Sequence, residues 1–166
     1  MPEPPVLVIG IGNAYGGDDA AGLVAARQLA AAASGRVTVR EATGEGAALL
    51  NTWANAPAVI LIDAIWSGAR PGTVRRLDAG TSPLPSKFFR YSTHAFGVAD
   101  AVELGRALGR LPAQLIVFGI EGRNFGAGVG LSQAVEGGVR RAVRRAQVEI
   151  DRMAAAAPKT VVGGSP

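Results

Sequence analysis

Three short segments hold the groups that could do chemistry. The first is Gly10-Ile11-Gly12-Asn13-Ala14-Tyr15-Gly16-Gly17-Asp18-Asp19-Ala20-Ala21-Gly22, a glycine-flanked loop ending in two adjacent carboxylates. The second is Asp63, directly after the apolar run Ala58-Val59-Ile60-Leu61-Ile62. The third is His94, the only histidine in the chain, in Ser92-Thr93-His94-Ala95-Phe96-Gly97. Two carboxylates and a neutral imidazole are sound ligands for a divalent transition ion, and they leave positions open for groups from a partner. A Ser-His-Asp hydrolase using His94 and Asp63 is an alternative, though no G-x-S-x-G elbow is present. The chain has no H-E-x-x-H, which removes a zinc protease of that helix-borne kind. Each residue alone also has a plainer reading: Asp18 or Asp19 as a helix cap, Asp63 as a solvated strand end, His94 as a first-turn helix residue.

Gly10-Ile11-Gly12 also opens like a dinucleotide fingerprint. That pattern needs a third glycine where Tyr15 stands, and bare N–H groups at a helix N-terminus to receive phosphate. Asp18 and Asp19 put negative charge in that place, so a nucleotide-binding module is disfavoured.

The elements that must position these groups follow from hydrophobic spacing. Val6-Leu7-Val8-Ile9, Ala58 to Ile62 and Gln114 to Ile120 are continuous apolar runs, as expected of strands buried on both faces. Val37 to Arg40 and Thr73 to Leu77 alternate, as half-exposed strands do. Helices are expected from about Asp19 to Ala33, Gly46 to Trp53, Ala95 to Leu108, and onward from Ser132, which should cap the last. Residues 78–93 read as a long loop and 122–130 as a glycine-rich one. Strands alternating with helices predict an α/β, three-layer α/β/α sandwich with a mostly parallel sheet. The expectation is a single domain over residues 1–153 with a frayed tail at 154–166. Ligand sites in such folds lie beyond the carboxyl ends of the strands, so the loops after Gly10, Asp63 and Gly119 should share one sheet edge.

Composition narrows the function classes. The 166 residues suit one domain, and 48% hydrophobic residues allow a sizeable core. The absence of cysteine excludes disulfides, thiolate metal sites and a cysteine nucleophile. The net charge is +4, but Arg75-Arg76 and Arg140, Arg141, Arg144 and Arg145 are dispersed without interleaved aromatics. They read as solvated faces rather than a nucleic-acid surface. No run approaches a membrane span and no signal peptide is visible, so a cytoplasmic protein is the expectation.

These residues together resemble the NiFe-hydrogenase maturation endopeptidases. Gly10 to Gly22 resembles the family's G-[IV]-G-N, spacer, D-[DE]-x-x-G signature; Asp63 resembles its strand-end aspartate and His94 its single functional histidine. Gly46 matches a loop glycine, and Phe118-Gly119-Ile120 with Gly130-Leu131-Ser132 fits the closing strand and helix. The resemblance runs from about Val6 to Ile150 and implies a twisted sheet of about five strands. It further implies removal of a short C-terminal peptide from the precursor of a hydrogenase large subunit already loaded with nickel. Asp19, Asp63 and His94 would be the nickel-contacting and catalytic residues, the nickel being carried by the substrate. Gly12, Asn13, Asp18 and Gly46 fall in the matched motifs and are assigned to substrate contact. Many relatives carry Glu at the position of Asp19, which leaves the choice between Asp18 and Asp19 as ligand open. The expected partner is that precursor, met by a monomer, with no nucleic acid and no membrane involved. A nickel-dependent checkpoint that binds the precursor without cutting it would need the same ligands.

Overall fold

A computed structural model describes residues 5–32, 35–89 and 94–157. Ser92 and Thr93, and most of the expected tail, lie outside the described residues. Five strands form one sheet: β1 (Val6–Ile11), β2 (Val37–Ala42), β3 (Ala58–Ile65), β4 (Val74–Asp78) and β5 (Gln114–Glu121). Their order is β2-β1-β3-β5-β4. The pairs β1–β2, β1–β3 and β3–β5 are parallel, and β4 runs antiparallel along β5 as an edge strand. The three continuous apolar runs thus become the three central strands, where both faces need covering.

Helices α1 (Ala21–Ala32), α2 (Gly46–Trp53), α3 (Val98–Ala107) and α4 (Gln133–Ala156) supply that cover. Side chains alternate across the sheet. Val8, Ile60, Ile62 and Phe118 join a cluster with Ala25, Leu29, Val139 and Ile150 of α1 and α4. Ile9, Val59, Leu61 and Val117 join Leu49 and Trp53 of α2 and Val102 of α3 on the other face. Among the described residues, no helix is long and apolar enough to cross a membrane.

Some boundaries differ from the sequence expectation. A 3-10 turn, Gly17–Ala20, precedes α1, so neither aspartate caps an α-helix directly. The third helix starts at Val98, with Asp100 accepting from the Gly97 N–H. The long loop contains a 3-10 turn at Ser86–Phe89. Helix α4 runs three residues beyond 153, because Met153 is buried in the core and Ala154 packs against it.

Edge strand β4 is fastened to α4 by arginines. Arg141 donates to the Gly72 carbonyl at 2.7 Å and Arg145 to the Val74 carbonyl at 3.0 Å. Arg76 of β4 pairs with Glu149, which is buried and also held by Arg152 at 2.7 Å.

Candidate active site

The strand order changes direction between β1 and β3: the chain leaves β1 toward β2 on one side and later returns through β3 on the other. A crevice opens at the carboxyl ends of such a pair. Here it is a pocket of about 430 Å³, lined by Ile11, Gly12 and Asn13 at the end of β1, by Asp63 to Trp66 at the end of β3, and by Asp19 and His94.

Close backbone approach brings the aspartates to that crevice. A Cβ on Gly22 would lie 2.2 Å from the Ile62 carbonyl oxygen and 2.3 Å from that of Ile11. A Cβ on Gly12 would lie 2.0 Å from the Asp19 carbonyl oxygen. The start of α1 therefore rests directly on the ends of β1 and β3, and Asp19 comes to stand beside Asp63. The spaced glycines of the first segment serve this contact, and a phosphate cradle would place its anion against the Asp19 carboxylate.

Burial disfavours the ionised form of both carboxyl groups, and the charge of Asp19 adds to this at Asp63. Asp63 is 7% exposed. Burial first, and then the charge of Asp19, push its carboxyl well above the usual carboxylate range, against a smaller opposing effect of the Ala64 N–H. Burial also raises Asp19, opposed by the Asn13 N–H. His94 lines the same pocket from the segment before α3. Its neighbour is Glu45, whose carboxylate accepts from the Ala47 and Ala48 N–H groups; those bonds, and to a lesser extent the His94 charge, lower the Glu45 pKa.

Asp19, Asp63 and His94 thus share one pocket. Among the described residues, however, no three acidic, cysteine or histidine side chains stand together closely enough to hold an ion by themselves. Gly12 and Asn13 line the pocket as expected. Asn13 also orders the loop, its side-chain oxygen accepting from the Tyr15 N–H at 2.9 Å.

Two residues assigned to substrate contact do not reach the pocket. Asp18 is 1% exposed and turns the other way. Its carboxylate accepts from the N–H groups of Arg123, Asn124 and Ser132 and from the Ser132 hydroxyl, all at 2.7–2.8 Å. Burial opposes its ionisation, but these four bonds outweigh that and hold its pKa below the usual value. Between the two aspartates, only Asp19 faces the pocket. Ser132 stands at the N-cap of α4 as expected, but its hydroxyl donates to Asp18 and makes no capping bond to the helix. Gly46 lies beneath the His94 segment: its N–H donates to the Phe96 carbonyl at 2.9 Å, and a Cβ there would strike the Phe96 ring at 2.2 Å.

The sequence reading did not anticipate the aromatic wall. Tyr15, Trp66, Phe88, Phe89 and Phe125 line the pocket, with Tyr15 73% and Trp66 40% exposed. Trp66 and Phe125 meet edge to face, their centroids 5.9 Å apart. The only available signal was that Trp66 and Phe125 follow strand ends closely in sequence, as residues at the carboxyl edge must.

Comparison with known proteins gives one consistent picture. Residues 23–149 match the family model described as hydrogenase maturation protease. The hydrogenase expression/formation protein HupD of Thiocapsa roseopersicina is 28% identical over 121 residues, which cover 72% of this chain and 55% of that protein. The chain thus spans less than two thirds of that relative's length. HupD of Rhodobacter capsulatus is 28% identical over 150 residues, 87% of this chain and 70% of the relative. Among solved structures, the NiFe hydrogenase maturation protease HybD from Thermococcus kodakarensis superposes with a TM-score of 0.67 at 30% identity, covering 87% of this chain and 98% of that one. An endopeptidase from Escherichia coli superposes with a TM-score of 0.78 at 26% identity, covering 89% and 92%.

Proposed function

The chain belongs to the hydrogenase maturation protease family, and from that premise we propose that it is an endopeptidase that removes a short C-terminal peptide from the nickel-loaded precursor of a NiFe-hydrogenase large subunit. The observation that carries this reading is the convergence of Asp19, Asp63 and His94 on one pocket at the β1/β3 crevice. Two carboxylates whose ionisation is opposed by burial, and at Asp63 also by the charge of Asp19, are held better by a dication than by bulk solvent. Nickel enters here as part of the substrate, so its remaining ligands come from the precursor. Asp19 and Asp63 supply oxygen donors and His94 a nitrogen donor.

Docking the ion anchors the precursor's tail in the pocket, which supplies proximity to the bond that is cut. Water then adds to the peptide carbonyl, the C–N bond breaks, and the departing amine takes a proton. The ion polarises the carbonyl or the water where it reaches them, and a carboxylate oxygen of Asp19 or Asp63 that the ion does not engage accepts the water's proton and passes it to the departing amine. The protein acts as a cytoplasmic monomer in this reading.

The test is the mass of a nickel-loaded large-subunit precursor after incubation with the protein, beside a nickel-free control. Loss of a short C-terminal peptide only in the loaded sample is the expected result. Nickel-dependent co-purification at unchanged mass would replace the protease by a non-catalytic checkpoint.

A further inference from the structure

The loop between β5 and α4 is exposed at residues 123, 124 and 126–130, yet it carries Phe125 into the pocket wall. A loop with so little buried surface keeps a fixed shape only if something else ties it down. The ties converge on the segment that bears Asp19. The Asp18 N–H donates to the Asn124 carbonyl at 2.8 Å, Gly17 to Gly128 at 3.1 Å, and Gly128 back to Tyr15 at 2.9 Å. At the centre, the Asp18 carboxylate takes all four donors described above, from both ends of the loop. Charge-assisted bonds of this length are the strong ones, and here they are shielded from water.

A second buried carboxylate secures the opposite half of the wall. Glu121, 2% exposed, accepts from the Ser67 N–H and hydroxyl, at 2.9 and 2.6 Å, and from the Gly68 N–H at 3.1 Å. Those residues directly follow Trp66. Each partner of the Trp66–Phe125 contact is therefore held by a carboxylate that does not itself line the pocket.

We propose that Asp18 is a positioning residue: by clamping the loop of residues 122–132 onto the turn that carries Asp19, it sets the separation between the acidic floor of the pocket and its aromatic wall, and hence the fit of the substrate's peptide. This rests on the endopeptidase reading for its catalytic consequence, while the clamp itself is a statement about the wall.

The test uses a Trp53→Phe parent, so that Trp66 is the sole tryptophan and its quenching by acrylamide reports the wall. Asp18→Asn and Ser132→Ala are made in that parent. Asp18→Asn turns an amide N–H₂ toward backbone donors. Ser132→Ala removes one donor with little risk to folding. Processing of loaded precursor should fall in kcat/KM by about tenfold to a hundredfold for Asp18→Asn and less for Ser132→Ala, at retained circular dichroism. Quenching of Trp66 should rise in the same order. If Asp18→Asn does not fold, Ser132→Ala decides. A folded variant with parental quenching overturns the proposal, as does altered quenching with parental processing. A parent that never processes precursor, while quenching still responds to both substitutions, upholds the clamp and overturns the endopeptidase reading instead.

Discussion

Asp19 and Asp63 meet at the floor of the pocket so that the charge of the first adds to burial in raising the pKa of the second. This arrangement costs stability in the unliganded protein, because a carboxylate that ionises readily in the unfolded chain, near pH ~3.9, resists ionisation in the fold. With the folded pKa above the unfolded one, the favourable state exists below the unfolded value and is lost as pH rises through the folded value. Asp63→Asn should therefore match or exceed the parent's thermal midpoint at pH 7. That advantage should shrink toward pH 4, while processing is abolished at every pH. A lower midpoint at pH 7 in a scan of both proteins would contradict the mutual repulsion.

His94→Ala should leave folding intact, since His94 is half-buried at the pocket rather than part of either core cluster. Its loss should reduce precursor processing by about 10²–10⁴-fold. Single-turnover assays with loaded precursor measure this; near-normal turnover would remove His94 from the site.

Gly46→Ala probes positioning at a distance from the pocket. The added methyl must displace the Phe96 ring and crowds the Gly97 carbonyl at 3.1 Å. Overpacking of this kind costs about 1–3 kcal/mol. Because Phe96 lies two residues from His94, processing should fall more than stability does. Urea titration beside a processing assay separates the two; parental activity in a destabilised protein would mean that the His94 segment is indifferent to Phe96.

Glu149→Gln tests the seam between α4 and the sheet. Burial opposes ionisation of Glu149, but bonds to Arg76 and Arg152 outweigh it and lower its pKa. Its contribution is thus present above the unfolded value, near pH ~4.3, and lost as pH falls through the folded one. The variant should be less stable at pH 7 by about 1–3 kcal/mol, and the gap should close in acid. Processing should be unchanged, because the pair lies away from the pocket. A gap that persists at low pH would assign the loss to packing.

Periodicity made the fold legible where one force dominated. Val6 to Ile9, Ala58 to Ile62 and Leu115 to Ile120 carry no polar side chain because each is covered on both faces, and runs this short bounded by turn residues suit a buried strand. The strand-end rule and the parallel topology account for the loop after Gly10 and Asp63 sharing one edge, while Asp19 and His94, which precede helices, were reached through the family resemblance. The orientation of Asp18 was not legible because adjacent residues on a tight turn point in different directions, and the sequence carries no record of the Arg123, Asn124 and Ser132 donors more than 100 positions away. The contact of Gly46 with Phe96 was hidden for a related reason: a glycine in a loop looks the same whether the neighbour it admits is a substrate or a phenylalanine ring. The aromatic wall was hidden because its members come from four separate places in the chain, and aromatic residues near strand ends are common in any core.

The arginines that fasten β4 to α4 also govern how an extended polypeptide can approach. A sheet edge with free carbonyls recruits passing chains as an additional strand. Two carbonyls along this border, those of Gly72 and Val74, are taken by Arg141 and Arg145, which leaves an incoming strand fewer acceptors to pair with. On the endopeptidase reading proposed above, an extended substrate would be turned from that flank toward the crevice.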